Sequence, residues 1–131
     1  MKRLKTNKRG LSAVAVARAE RRLGFAFPAD LRTLLRMSNG GRVQKSLTVS
    51  LPDGTETNIC DLESIDQIVG RVEFSGDRKR IHFGRDAGGN GFVIDRKGTV
   101  YFWNHDDDSF ARLARSMDAF ADGLREEPMP S

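Results

Sequence analysis

Residues 81–108 read IHFGRDAGGNGFVIDRKGTVYFWNHDDD. This stretch joins a glycine-rich connector, a tight β-hairpin, an aromatic strand and an acidic exit. Ile81, His82 and Phe83 suit a short strand, and residues 84–90 a turn-rich link. Phe92, Val93 and Ile94 run into Asp95-Arg96-Lys97-Gly98, where Gly98 can supply the positive φ that a short hairpin loop requires. Residues 99–103 form the returning strand. Side chains alternate across a strand, so Val100 and Phe102 point one way and Thr99, Tyr101 and Trp103 the other. Both faces of the hairpin are therefore apolar. One can cover a core; the other needs helices over it or a partner against it.

Upstream, helical periodicity takes over. Ser12 is an N-cap for an amphipathic helix over 11–23, stopped at Gly24. Pro28 suits the first position of a second helix, Asp30 its positive N-terminal dipole end, and Leu31, Leu34, Leu35 and Ser38 its inner face. Asn39, Gly40 and Gly41 end it abruptly. Strands are expected over 46–51 and 55–59, joined through the turn Pro52-Asp53-Gly54. Leu62, Ile65, Ile68 and Val69 suggest a short helical turn, and residues 70–80 a polar loop. At the other end Phe110, Leu113, Ala114, Met117, Ala121 and Leu124 fit one long helical stripe, but Ser116 followed by Asp118 also reads as a fresh helix start. The fold expected is α+β: a single domain with a central antiparallel sheet, an N-terminal helix pair and a C-terminal helix.

A chain of 131 residues can bury a core without disulfides, and a lone cysteine, Cys60, precludes an intramolecular disulfide or a Cys-rich metal site. No apolar run reaches the roughly 18 to 20 residues needed to span a bilayer, and the charged start is a poor secretory signal. A cytoplasmic location is expected. The net charge of +4 hides an asymmetry: residues 1–45 hold 12 Lys/Arg against 2 acids, residues 46–131 hold 10 against 16. Such polarity suggests complementary surfaces rather than uniform attraction to nucleic acid. Residues 1–10 read as a mobile basic tail and 126–131 as a C-terminal tail, flanking a domain over 11–125.

Catalytic signals are weak. The glycines of 84–91 precede a strand, whereas phosphate loops open helices. Asp86, Gly88 and Asn90 mimic part of a calcium loop whose twelfth position, Lys97, has the wrong charge. His105, Asp106, Asp107 and Asp108, with His82 as a distant candidate, admit three readings: a solvated acidic loop, a docking patch for a basic partner, or a metal or acid–base site. Neither a Ser-His-Asp nor a Cys-His arrangement is signalled. No cofactor and no metal is expected. Tyr101 and Trp103 admit a core reading and a contact reading, since such aromatics beside charged rims often anchor interfaces. Arg18, Arg21 and Arg22 on one helical face suit either a solvated face or a basic surface that meets an acidic protein or nucleic acid.

With both ends read, the motifs resemble a known pattern. Glu20 to Gly24, then Phe27-Pro28-Ala29-Asp30-Leu31 and Asn39-Gly40-Gly41, are similar to the N-terminal signature of the SUKH superfamily, the Smi/Knr-type domain. A second signature matches in Gly84, Asp86, Gly89 and Asn90 followed by Val100-Tyr101-Phe102-Trp103-Asn104-His105-Asp106. A third matches in Ala114 to Met117 with Phe120 and Leu124. Phe27, Asn104 and Met117 depart from the usual residues by tolerable swaps. The resemblance implies residues 109–114 extended and a closing helix from Ser116. It also implies a non-enzymatic binding protein. Bacterial members are largely immunity proteins that bind a cognate polymorphic or contact-dependent toxin, often a nuclease, in the cytoplasm; fungal relatives regulate cell-wall assembly. Tyr101, Trp103 and His105 to Asp108 are then the candidate partner-binding residues, and the partner a basic toxin; direct nucleic-acid or membrane binding is not expected. The alternative is a nucleic-acid-binding or regulatory module using the basic N-terminal helices.

Overall fold

A computed structural model describes residues 1–126. After a single 3-10 turn at Lys2–Leu4 come two helices, α1 (Ala13–Leu23) and α2 (Ala29–Met37), then strands β1 (Gly41–Ser50) and β2 (Glu56–Leu62). Helix α3 (Ile65–Ser75) leads to β3 (Arg80–Arg85), β4 (Gly91–Asp95), β5 (Val100–Asn104) and β6 (Ser109–Ala114); α4 (Met117–Asp122) and the short β7 (Arg125–Glu126) close the chain. The strands form one antiparallel sheet in the order β6-β5-β4-β3-β2-β1-β7. The expected α+β domain is present.

Local chemistry explains most boundaries. Ser12 Oγ accepts from the Ala15 N–H and caps α1, and Gly24, in the left-handed region, ends it. Pro28 lies one position before the first helical residue of α2 rather than within it. Ser116 Oγ accepts from the Ala119 N–H, so the chain breaks at Ser116 into β6 and α4. The single long C-terminal stripe is thereby overturned and the extended 109–114 segment found. The periodicity misled because a partly buried edge strand and the following helix both pack against the core.

The helix pair and α4 supply the core side of the sheet. Phe120 of α4 packs edge-on to Phe83 at 5.9 Å and lies 5.7 Å from Phe92, which meets Phe102 at 5.6 Å. Leu31, Leu35, Leu47, Ile81 and Ile94 are fully buried around them. Polar side chains act as joints between elements. Glu20 accepts the Phe27 N–H, Asp30 accepts the Met117 N–H at the start of α4, and Asn39 accepts the Ile65 N–H at the start of α3. A carboxylate at a helix N-terminus satisfies a donor that has no partner within the helix.

Several expected boundaries are corrected. Residues 70–80 are not one loop: a reciprocal Ser64–Gln67 capping box starts α3, and buried Val72 carries it to Ser75, where Gly76 stops it. β1 begins at Gly41, with an irregularity between Arg42 and Leu47, and β2 extends to Leu62, a residue expected in the helix. Residues 1–10, read as a mobile tail, are packed. Leu4 is fully buried, Thr6 donates to the Gly40 carbonyl and receives a Val43 bridge, and Asn39 N–H donates to the Arg9 carbonyl. At Gly10 an added Cβ would sit 1.8 Å from the Arg36 carbonyl oxygen, so no other residue fits there without displacing the end of α2. Glu126, placed in the C-terminal tail, pairs with Leu47 in β7; the rest of that tail lies outside the described residues.

Candidate functional site: the hairpin exit and its aromatic face

β2 and β3 pair only at Asp61↔Arg85 and Leu62↔Gly84. Beyond that point the two strands are unpaired, and the glycine-rich loop 86–90 borders an open groove beside β2, tied to it through Thr57. Its organiser is Asp86, which is buried. One carboxylate oxygen accepts the N–H groups of Gly88 and Asn90, each at 2.9 Å; the other accepts the Thr57 hydroxyl at 2.8 Å and the Asn90 side-chain amide at 3.0 Å. Burial alone would raise its pKa, but the side-chain bonds from Asn90 and Thr57 and the two backbone bonds outweigh burial and hold it below the usual carboxylate value. The carboxylate is thus a structural anion.

The network continues outward. Asn90 gives its amide hydrogens to Asp86, so its carbonyl oxygen faces His105, accepting the backbone N–H at 3.1 Å and lying 2.6 Å from Nδ1. That contact requires the hydrogen of the ring on Nδ1. The opposite nitrogen, Nε2, lies 3.2 Å from an Asp106 carboxylate oxygen. The exit loop closes through Asp108, whose N–H donates to the Asn104 carbonyl at 2.8 Å and whose carboxylate accepts the Trp103 indole N–H. Asp108 adopts φ 59°, a left-handed conformation costing about 1 kcal/mol for a residue with a Cβ, which these two bonds offset. Asp107 is held below the ordinary range by its side-chain interaction with Ser109 and then by that residue's backbone N–H. All three aspartates remain solvent-exposed, Asp106 with 81% of its side chain accessible.

The strand face behind this loop is the second, outward face of the hairpin. Register places His82, Val93, Tyr101 and Arg112 in one cross-strand row and Gly91, Trp103 and Phe110 in the next. His82 meets Trp103 edge-on, ring centres 5.2 Å apart. Burial, with the Arg71 charge adding to it, pushes His82 down to about 4, so the ring is neutral at physiological pH. Gly91 is required beneath them, because a Cβ there would sit 2.6 Å from His82 Nδ1. Tyr101 donates its hydroxyl to Asp95, and burial followed by that bond raises its pKa. Helix α3 only partly covers this face. It leaves a cleft of about 490 Å³ whose walls include Trp103, Phe110, His82 and Phe74, the last 95% exposed.

Of the sequence-selected residues, Trp103 and Asp108 come together directly and His105 and Asp106 directly. Tyr101 faces the same side as Trp103 but bonds towards the hairpin turn. Asp86 and Asn90 are tied to the exit loop, whereas Pro28, Asn39, Gly40 and Gly41 serve the helix and strand junctions and Gly24 the end of α1. Gly84 lies in β3, and Gly89 lies in the turn against the His105 ring. Phe74, Arg80 and Phe110 were missed. Strand alternation from Trp103 signalled Phe110 once the partner strand was known; Phe74 carried no signal inside a stretch read as loop. Cys60 borders a second, open groove, and burial, then the Asp61 and Asp86 charges, raise its thiol pKa, the reverse of what a nucleophile needs. Among the described residues, no three His, Cys, Asp or Glu side chains are grouped to hold a metal ion, and no helix is long and apolar enough to cross a membrane.

The joints at Glu20, Asp30, Asn39, Asp86 and Asn90 are polar positions of the first two signatures, and here each closes a turn or starts a helix. A sequence model of the SMI1 / KNR4 family (SUKH-1) matches residues 10–123. The chain belongs to that family. Membership in the SMI1 / KNR4 (SUKH-1) family accords with a protein-binding role in general. Among curated proteins, none matches the chain by sequence.

Proposed function

We propose that this SUKH-1 protein is an immunity-type inhibitor that binds a cognate polymorphic or contact-dependent toxin in the cytoplasm and occludes its active surface without turnover. The observation that carries this reading is the hairpin exit. Its backbone is fixed by the Asp86–Asn90–His105 chain of hydrogen bonds, while Asp106 and Asp107 project into solvent beside half-exposed aromatics. A pre-ordered acidic rim next to apolar anchors loses little conformational entropy on binding and attracts a basic surface, such as that of a nuclease. The basic N-terminal helices favour a nucleic-acid role less, because Arg22 is engaged by Glu73 through both Nε and Nη2.

The test is co-expression with the toxin encoded beside the gene. Rescue of growth and a co-purifying complex are expected. Unchanged toxicity with no complex removes that pairing. DNA or RNA binding that weakens steeply with salt and disappears when Arg18 and Arg21 are neutralised would favour the alternative module.

A further inference from the structure

The outward aromatic cleft differs in charge from the acidic loop beside it. Arg80 lies over the Phe110 ring, its guanidinium carbon 4.0 Å from the centroid, and 5.7 Å from that of Tyr101. Among the described residues its guanidinium makes no ion pair or side-chain hydrogen bond. The two acids at the cleft are engaged: Asp77 accepts backbone N–H groups of Lys79 and Arg80, and Asp108 accepts the Trp103 indole. An arginine stacked by its face on an aromatic ring keeps its in-plane N–H groups free, and these match a carboxylate in a two-point contact. Beside it, Phe74, Trp103 and Phe110 leave apolar surface in contact with water.

We infer that this cleft receives an apolar side chain of a protein partner together with a carboxylate next to it, the side chain lying against Phe74 and Trp103 and the carboxylate on Arg80. The surface then carries two opposite charge preferences: an acid on Arg80 and basic groups on Asp106 and Asp107. Such alternation fixes the register of a docked chain and rejects partners with the wrong order of charges. Charge complementarity selects this occupant over a lipid, which would need a wider apolar surface, and over a purely apolar contact, which would leave Arg80 without a partner. The inference extends the partner-binding reading of the same face, but its test needs no toxin, so either can fail alone.

Trp103 is the only tryptophan, so its indole N–H resonance is an unambiguous reporter. The full chain is titrated with N-acetylphenylalanine, with its uncharged amide, and with a mononucleotide. The acid is expected to shift the Trp103 signal saturably with about millimolar affinity, and the amide to bind about three- to fivefold more weakly. Arg80→Gln removes that difference and leaves amide binding in place, while Phe74→Ala, a change at a solvent-exposed position, weakens both. Equal affinity for acid and amide, or no saturable shift, overturns the inference. A shift caused by the mononucleotide and not by N-acetylphenylalanine also overturns it and makes the cleft a base-stacking site.

Discussion

The N-terminal leader and the hairpin exit are both runs of charge, and they meet opposite fates. Residues 2–9 carry five cations, residues 106–108 three consecutive acids. The leader is pulled into the fold by two side chains between its charges: Leu4, with no exposed surface, and Thr6, at 2% exposure. Its lysines and arginines stay exposed around these two anchors, Arg3 also donating to the Ala121 carbonyl. The exit loop has no such residue. It is held from beneath through Asn90 and from one side through Trp103, and every carboxylate stays at the surface. A charge run is therefore not a structural category; the uncharged residues within it and the donors beneath it decide whether it is scaffold or surface.

The contrast can be broken most directly at Leu4. Leu4→Ala should lower unfolding free energy by about 3 to 4 kcal/mol, read from urea denaturation. A loss below about 1 kcal/mol would return residues 1–10 to the status of a tail. A comparable effect is expected from pH at the aromatic face. His82 titrates near 4 in the folded chain and near 6.5 unfolded, so between these values the unfolded state binds a proton that the folded state refuses. Stability should fall as pH drops from about 6.5 to 4, by up to about 3 kcal/mol, and His82→Gln should flatten that segment of the profile.

Removing the support beneath the exit loop should matter less. Asn90→Ala deletes bonds to Asp86 and His105 and leaves a buried carboxylate short of a donor, for a loss of about 1 to 2 kcal/mol. Amide exchange should quicken at residues 105–108 and not in the leader. The smallest effect on stability belongs to the acids themselves. Replacing Asp106 and Asp107 together by Asn should change unfolding free energy by less than about 0.5 kcal/mol, yet slow association with a basic partner severalfold at low salt. An unchanged association rate would take the acidic loop out of the binding surface.

Much of the fold was legible because its cues are local. Ser12, Gly24, Pro28 and Gly98 each act within a few residues of themselves, and alternation put Val100 and Phe102 on one face and Tyr101 and Trp103 on the other, while the fold decided that the first pair faces the core. The 109–124 stripe was ambiguous for a physical reason: apolar spacing alone does not separate one helix from a strand and a helix sharing a core, and the family pattern together with the Ser116 cap resolved it. The length of α3 was hidden because its last turn is solvated, leaving Val72 as its one buried residue beyond Val69. Within the candidate site, the acidic exit and Trp103 could be read, but not their support by Asn90 or their company.

The sequence by itself determined the N-terminal helix pair, the hairpin of β4 and β5 and the two apolar faces of that hairpin, because propensity, turn chemistry and side-chain alternation depend on neighbours in the chain. Only the tertiary structure decided that Leu4 is core, that Asp30 starts a helix 87 positions away, and that Phe74, Arg80, Trp103 and Phe110 share one cleft. Those outcomes depend on which distant surfaces exclude water together and which buried donors find acceptors, and strand register and helix docking set both.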